Sequence, residues 1–293
     1  MKRLVSLALL AIAAAGCGGG GAGVVAPTIQ AARVYSLVGF VPKGPITPGK
    51  PTTISFTIEQ PDGTPLTKFK RGPGPHVGVH MIYVRKDLST IIHHHPPLNG
   101  TAGKIVDHAT FPAAGPYRLV IDVYPASCPE SSTPALPGAP PVACNFQLFR
   151  WIDVSGAYKP RPVPSPVSAE TVDGYRFVLT GAGHLAAVQA KLVQVTVTAP
   201  DGRPATFTPW YGALAHAIFF RKGSLDYFHT HICAKNAVGC TSILGSKTVT
   251  GVSTTPGKLN VGVLVPVAGT WRLFLQCQVN GHVLTAPFTL HVS

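Results

Sequence analysis

Two distant segments of this chain carry one pattern. "HVGVHMIYVRKDLSTIIHHHP" (76–96) lies over "GALAHAIFFRKGSLDYFHTHI" (212–232) without a gap, so that Arg85 and Lys86 meet Arg221 and Lys222. In the same register His80, His93 and His95 meet His216, His229 and His231. The likeness extends outward: "QPDGTP" (60–65) matches "APDGRP" (199–204), and "FPAAGPYRLVIDV" (111–123) matches "VPVAGTWRLFLQC" (265–277). A repeat of this extent restricts the fold to two copies of one module, 33–155 and 169–293. The segment between them (156–168), "GAYKPRPVPSPVS", has the composition of a semi-rigid extended linker.

Within each copy, runs rich in Val, Ile, Phe and Thr alternate with a period of two between "PDG", "NG" and "AGP" turns. The second copy reads as seven strands: "YRFVLT", "AKLVQVTVT", "LAHAIFF", "LDYFHTH", "KLNVGVLV", "TWRLFLQCQV" and "VLTAPFTLHV". The expected fold class is therefore all-β, two tandem immunoglobulin-like β-sandwiches of the cupredoxin or copper-resistance kind. Asn280-Gly281 predicts a two-residue hairpin between the last two strands.

The opening "MKRLVSLALLAIAAAGCGGGG" pairs Lys2 and Arg3 with an apolar run too short to span a membrane. It reads as a signal peptide (1–17) with a lipobox that would make Cys17 the lipidated residue, followed by a flexible tether (18–32). An ordinary cleaved signal is the alternative. Both readings place the protein outside the cytoplasm, as a cell-membrane or outer-membrane lipoprotein or as a secreted protein. The net charge of +13 has no basic cluster interleaved with aromatics, which argues against nucleic acid as a partner. In an oxidising compartment close cysteines pair, giving Cys128 with Cys144 and Cys233 with Cys240. Cys277 is left odd and reads as a buried thiol on the face of Trp271, Leu273 and Leu275.

The histidines carry the chemistry. With Lys86 and Asp87 as a two-residue turn, His80 stands opposite His93, and His95 projects from the same face. With Lys222 and Gly223, His216 stands opposite His229, and His231 lies one step along. Opposed Cβ atoms are about 4.5–5.5 Å apart, close enough for imidazoles to converge on one ion. One extra loop residue would turn the histidines to the wrong face. Each module is thus expected to hold a three-histidine site for copper or zinc, with His108 and Cys233 as further candidate ligands. Such a site would release its ion as acidity rises through the ordinary imidazole pKa of about 6.5. His94 points to the other face, and His76, His184, His282 and His291 read as surface residues. No Ser-His-Asp set can be assembled and no acidic residue recurs near the histidines, so an enzyme is not expected.

The second copy, "PWYGALAHAIFFRKGSLDYFHTH" and "VPVAGTWRLFLQCQVNGHVLTAPFTLHV", resembles a family of secreted and lipid-anchored bacterial immunoglobulin-like modules with a Gly-His…His-x-His pattern. The resemblance implies a copper or heavy-metal connection and carries over to His216, His229 and His231; Ala215 and Cys277 depart from the pattern. The expectation is an envelope lipoprotein for metal delivery, storage or tolerance, with another envelope metal protein as a candidate partner. A structural or adhesive tandem module without metal is the alternative. A cupin-type oxidase ranks third, because the Glu that accompanies His-x-His there is missing.

Overall fold

The computed structural model describes residues 34–98, 103–126, 145–237, 240 and 251–293. The signal, the lipobox with Cys17, the tether, and the Cys128 and Cys144 pair lie outside the described residues. Among the described residues the chain is all-β, two tandem sandwiches.

In the first, β1 (Ser36–Val41), β2 (Pro51–Glu59) and β5 (Lys104–Thr110) form one sheet. The other holds β4 (Ile91–His94), β3 (Val79–Arg85), β6 (Gly115–Val123) and β7 (Phe146–Val154), in that order. In the second sandwich the outer sheet runs β14 (Lys258–Val263), β10 (Lys191–Thr198), β9 (Tyr175–Thr180), β8 (Ala169–Val172). Its partner sheet runs β13 (Gly251–Ser253), β12 (Tyr227–Ala234), β11 (Ala215–Arg221), β15 (Gly269–Val279), β16 (His282–Val292). The Asn280-Gly281 hairpin forms as expected, with Val279 opposite His282 and both turn residues at positive φ.

Period-two alternation sorts the side chains. Val79, Met81 and Tyr83 of β3, with Leu119, Ile121 and Val123 of β6, fill the first core. Ala215, Ala217 and Phe219 of β11, with Leu273, Leu275 and Cys277 of β15, fill the second. The opposite faces of these strands are not solvated. Ile82, Val84, Leu88 and Val120 pack against Ile218, Phe220, Leu225 and Phe274 in a third apolar cluster. The two inner sheets therefore lie face to face, making four sheet layers. Ile82, Val84 and Val120 are the repeat equivalents of Ile218, Phe220 and Phe274, so both modules present the same patch. This burial on both faces accounts for the unbroken apolar runs "MIYV" and "AIFF".

The junction also has polar ties. Arg118 Nη1 donates to the Ser224 carbonyl at 3.0 Å, and the linker lies along the first module, where Arg161 N donates to Asp87 at 2.8 Å. Phe220 is fully buried at the junction. Phe220→Ala is expected to cost about 3–5 kcal/mol, read as a lowered denaturation midpoint at unchanged far-UV circular dichroism.

Much of the repeated sequence outside the histidines is explained by local bonds. Arg85 Nε donates to Ala114 O at 3.0 Å and Arg221 Nε to Ala268 O at 2.9 Å, each bracing the turn before the next strand. Tyr117 Oη bonds Ala113 O at 3.1 Å and Trp271 Nε1 bonds Val267 O at 3.0 Å, the same tether in each copy.

Candidate metal centre

The two hairpins that carry the histidines are not two-residue turns. The β3–β4 register pairs Ile82 with His93, and Arg85 N bonds Thr90 O, leaving the four residues 86–89 in the turn. The β11–β12 register pairs His216 with His231, and Arg221 N bonds Asp226 O. Each register is displaced by two residues from the expectation. The side-chain period is also two, so the displacement changes which histidines are opposed but keeps all of them on one face. Leu88 and Leu225 adopt left-handed φ values of 62° and 57° in these turns and bury their side chains at the junction. That burial compensates for the strain of a bulky residue there and accounts for the longer loops.

The face shared by these histidines is the face on which the modules meet. The expected pair of separate triads becomes one cluster. Three groups have ligating atoms all within 4.8 Å of one another: His80, His93 and His95; His80, His229 and His231; His93, His216 and His229. Two of the three draw on both modules, and any two share one histidine. Among the described residues, His216, His229 and His231 do not form such a group by themselves.

The shortest approaches are His93 Nε2 to His95 Nε2 at 3.2 Å, His216 Nδ1 to His229 Nε2 at 3.3 Å, and His231 Nδ1 to His76 Nε2 at 3.1 Å. Two nitrogens bound tetrahedrally at 2.0–2.1 Å lie about 3.4 Å apart, so these edges suit one ion, and the wider edges must close for a full triad to reach it. Surrounding groups aim the lone pairs. His216 Nε2 bonds the Trp210 carbonyl at 2.9 Å, which makes Nε2 the protonated nitrogen and leaves Nδ1 free. Gln276 Nε2 donates to Thr285 at 3.1 Å while Gln276 Oε1 faces His93 Nδ1 at 3.1 Å, which leaves His93 Nε2 free. Both ring nitrogens of His80, Nδ1 of His229 and Nε2 of His231 are buried without a hydrogen-bond partner. Unpaired buried polar atoms are costly, and a cation would supply the missing partner.

Burial and then the neighbouring imidazoles push these pKa values down. His80 falls to about 3, its burial reinforced by His216 and His76. His216 falls to about 4, mainly through burial, with the Trp210 carbonyl opposing. Burial, followed by the other histidines, carries His93, His95, His229 and His231 well below the ordinary value. The cluster is a set of neutral imidazoles, the form that coordinates a metal.

Other candidates fall elsewhere. His108 is exposed on β5 of the outer sheet and bonds Thr53 at 3.1 Å, away from the cluster. Cys233 is bonded to Cys240 and has no thiolate to offer. Cys277 is free and buried in the second core, where burial raises its thiol to about 12. His94 turns to the first module's own core and bonds Asp107 at 3.0 Å; Tyr83 donates to the same carboxylate at 2.7 Å. His184, His282 and His291 are exposed.

Sequence reasoning missed His76, Trp210, Tyr211, Gly212 and Gln276 as contributors. His76, expected at the surface, sits against His231. Asp122, paired with His80 across β3–β6, is held instead by Asn145, Gln147 and Tyr124, and burial raises its carboxyl to about 6. Trp210 and Tyr211 form a turn reaching from the second module, with Tyr211 flat on His95 at 3.9 Å. Gly212 makes that reach possible: it has a φ of 79°, and a Cβ there would strike the Gly74 carbonyl carbon at 2.3 Å. A glycine directly after two aromatics was the available signal.

Residues 38–128 and 170–293 match a domain of unknown function, DUF8832. No curated protein matches the chain. Solved structures similar to it include Salmonella alpha-2-macroglobulin reacted with methylamine, at 10% identity over 92% of this chain and 15% of that one, TM-score 0.24. They also include invasin, a bacterial integrin-binding protein, at 11% identity over 89% of this chain and 39% of that one, TM-score 0.24. Fibronectin(III)-like modules of Clostridium thermocellum CbhA match at 10% identity over 88% of this chain and 93% of those, TM-score 0.20. Likenesses at these scores carry no functional argument.

Proposed function

The chain belongs to the DUF8832 family, whose function is unknown, and from its own residues we propose that it binds one transition-metal ion, copper or zinc, in an all-histidine centre shared by its two modules. The observation that carries this reading is the convergence of six neutral imidazoles from both modules, four of whose buried ring nitrogens have no partner. Three imidazoles with a remaining open position suit Zn(II) or copper, and Cu(II) binds most tightly by the Irving–Williams order. Among the described residues no thiolate belongs to the groups, and Met81 is packed in the first module's core, which argues against a dedicated Cu(I) carrier. The bound ion would be cargo for delivery, storage or tolerance. The apolar opening segment and Cys17 support an extracytoplasmic, lipid-anchored location.

The alternative is a structural tandem module in which the histidines only fasten the sheets together. It is favoured by the approaches of 3.1–3.3 Å, which N–H···N hydrogen bonds also satisfy, but it leaves Nδ1 of His229 and Nε2 of His231 unexplained. Calorimetric titration of the metal-free protein with Zn(II) and Cu(II) separates the two. The expected result is about one ion per chain and a raised melting temperature; no uptake of either metal leaves the structural reading.

A further inference from the structure

The three histidine groups differ in depth. Each group has one less buried member: His95, the most accessible of the six, in one group only, and His229, 8% exposed, in the other two. Because any two groups share a ligand and each histidine offers one atom, filling one group dissolves the other two. Movement between them nevertheless never requires complete release. An ion held by His80, His93 and His95 reaches His229 and His231 while His80 keeps hold, or His216 and His229 while His93 keeps hold.

Resting on the metal-binding reading above, we propose that the His80, His93 and His95 group is the entry position for a divalent transition-metal ion, which then passes by ligand exchange to the two deeper groups spanning the module junction. His95 is the port. Its ring stacks on Tyr211 at 3.9 Å and on His80 at 3.8 Å, so it links the partly buried Tyr211 to the fully buried histidine that begins the deeper path. The group of His93, His216 and His229 has two ligands fixed from behind, His93 by Gln276 and His216 by the Trp210 carbonyl, as suits a resting place. On this scheme the port governs how fast the ion enters and leaves, and the deep groups govern how tightly it is held.

The test uses the whole chain and Co(II), whose visible absorption reports coordination, with stopped-flow uptake, release to excess EDTA, and affinity by competition. His95→Ala, with His95→Gln as a milder second variant, is expected to slow uptake and release alike by about tenfold while affinity stays within about threefold, because two complete groups remain. His229→Ala, which breaks both deeper groups and leaves only the entry group whole, is expected to do the reverse, weakening affinity with uptake unchanged. A His95 variant that weakens affinity tenfold at unchanged rates overturns the entry assignment but leaves metal binding standing, and so does a wild type that takes two ions per chain. A wild type that takes no Co(II), Zn(II) or Cu(II) overturns the metal-binding reading, and the entry assignment with it.

Discussion

The double variant His80→Ala/His93→Ala, which leaves His216, His229 and His231 untouched, is expected to bind no metal ion. Among the described residues, every group that could hold one contains His80 or His93. Two independent sites would behave differently, since the second module would keep its triad and one ion per chain. The control is His95→Ala/His231→Ala, which also removes two histidines but spares His93, His216 and His229, and should still take about one ion. Affinity in the spared variant should fall by about 10–100-fold, the cost typical of disturbing a site's surroundings, whereas the first variant should show no saturable uptake. Equilibrium dialysis with metal analysis reads both, and near-UV circular dichroism establishes that each variant is folded.

Acid should destabilise the metal-free protein well before it strips the ion. In the unfolded chain the histidines take protons near pH 6.5; in the fold His216 does so only near 4 and His80 near 3, with the other four also depressed. Between those limits the unfolded state binds more protons, so stability is full above pH 6.5 and is lost as pH falls toward the folded values. The metal-free melting temperature should drop by about 10 °C or more between pH 7.5 and pH 5. The folded site, however, is still unprotonated at pH 5. The increment in melting temperature caused by Zn(II) should therefore persist there, contrary to what exposed histidines of ordinary pKa imply. An increment that disappears by pH 5 would mean that the imidazoles are not held neutral by burial.

The gapless alignment made the fold and six of the seven clustered histidines legible from the sequence, because a repeated strand pattern fixes which residues share a face. Three features were not legible. The number of residues in each hairpin turn depends on Leu88 and Leu225 finding burial at a surface the sequence does not name. The meeting of the two inner sheets is a tertiary event; its only trace was that Ile82, Val84, Ile218 and Phe220 interrupt the polar half of an alternating pattern. Gln276 gave no sign of its place because the histidine it bonds, His93, is reached only across the junction.

The same patch from both modules forms the junction, which is the arrangement of a twofold dimer in which both partners are parts of one polypeptide. In a true homodimer every substitution appears twice, and the two halves of a shared centre stay identical. Joining the halves removes that constraint. Here one half contributes His76, and the other contributes the Trp210–Tyr211 turn and Gln276. The centre can therefore have a front and a back, a polarity that two copies of a separate module related by symmetry could not acquire.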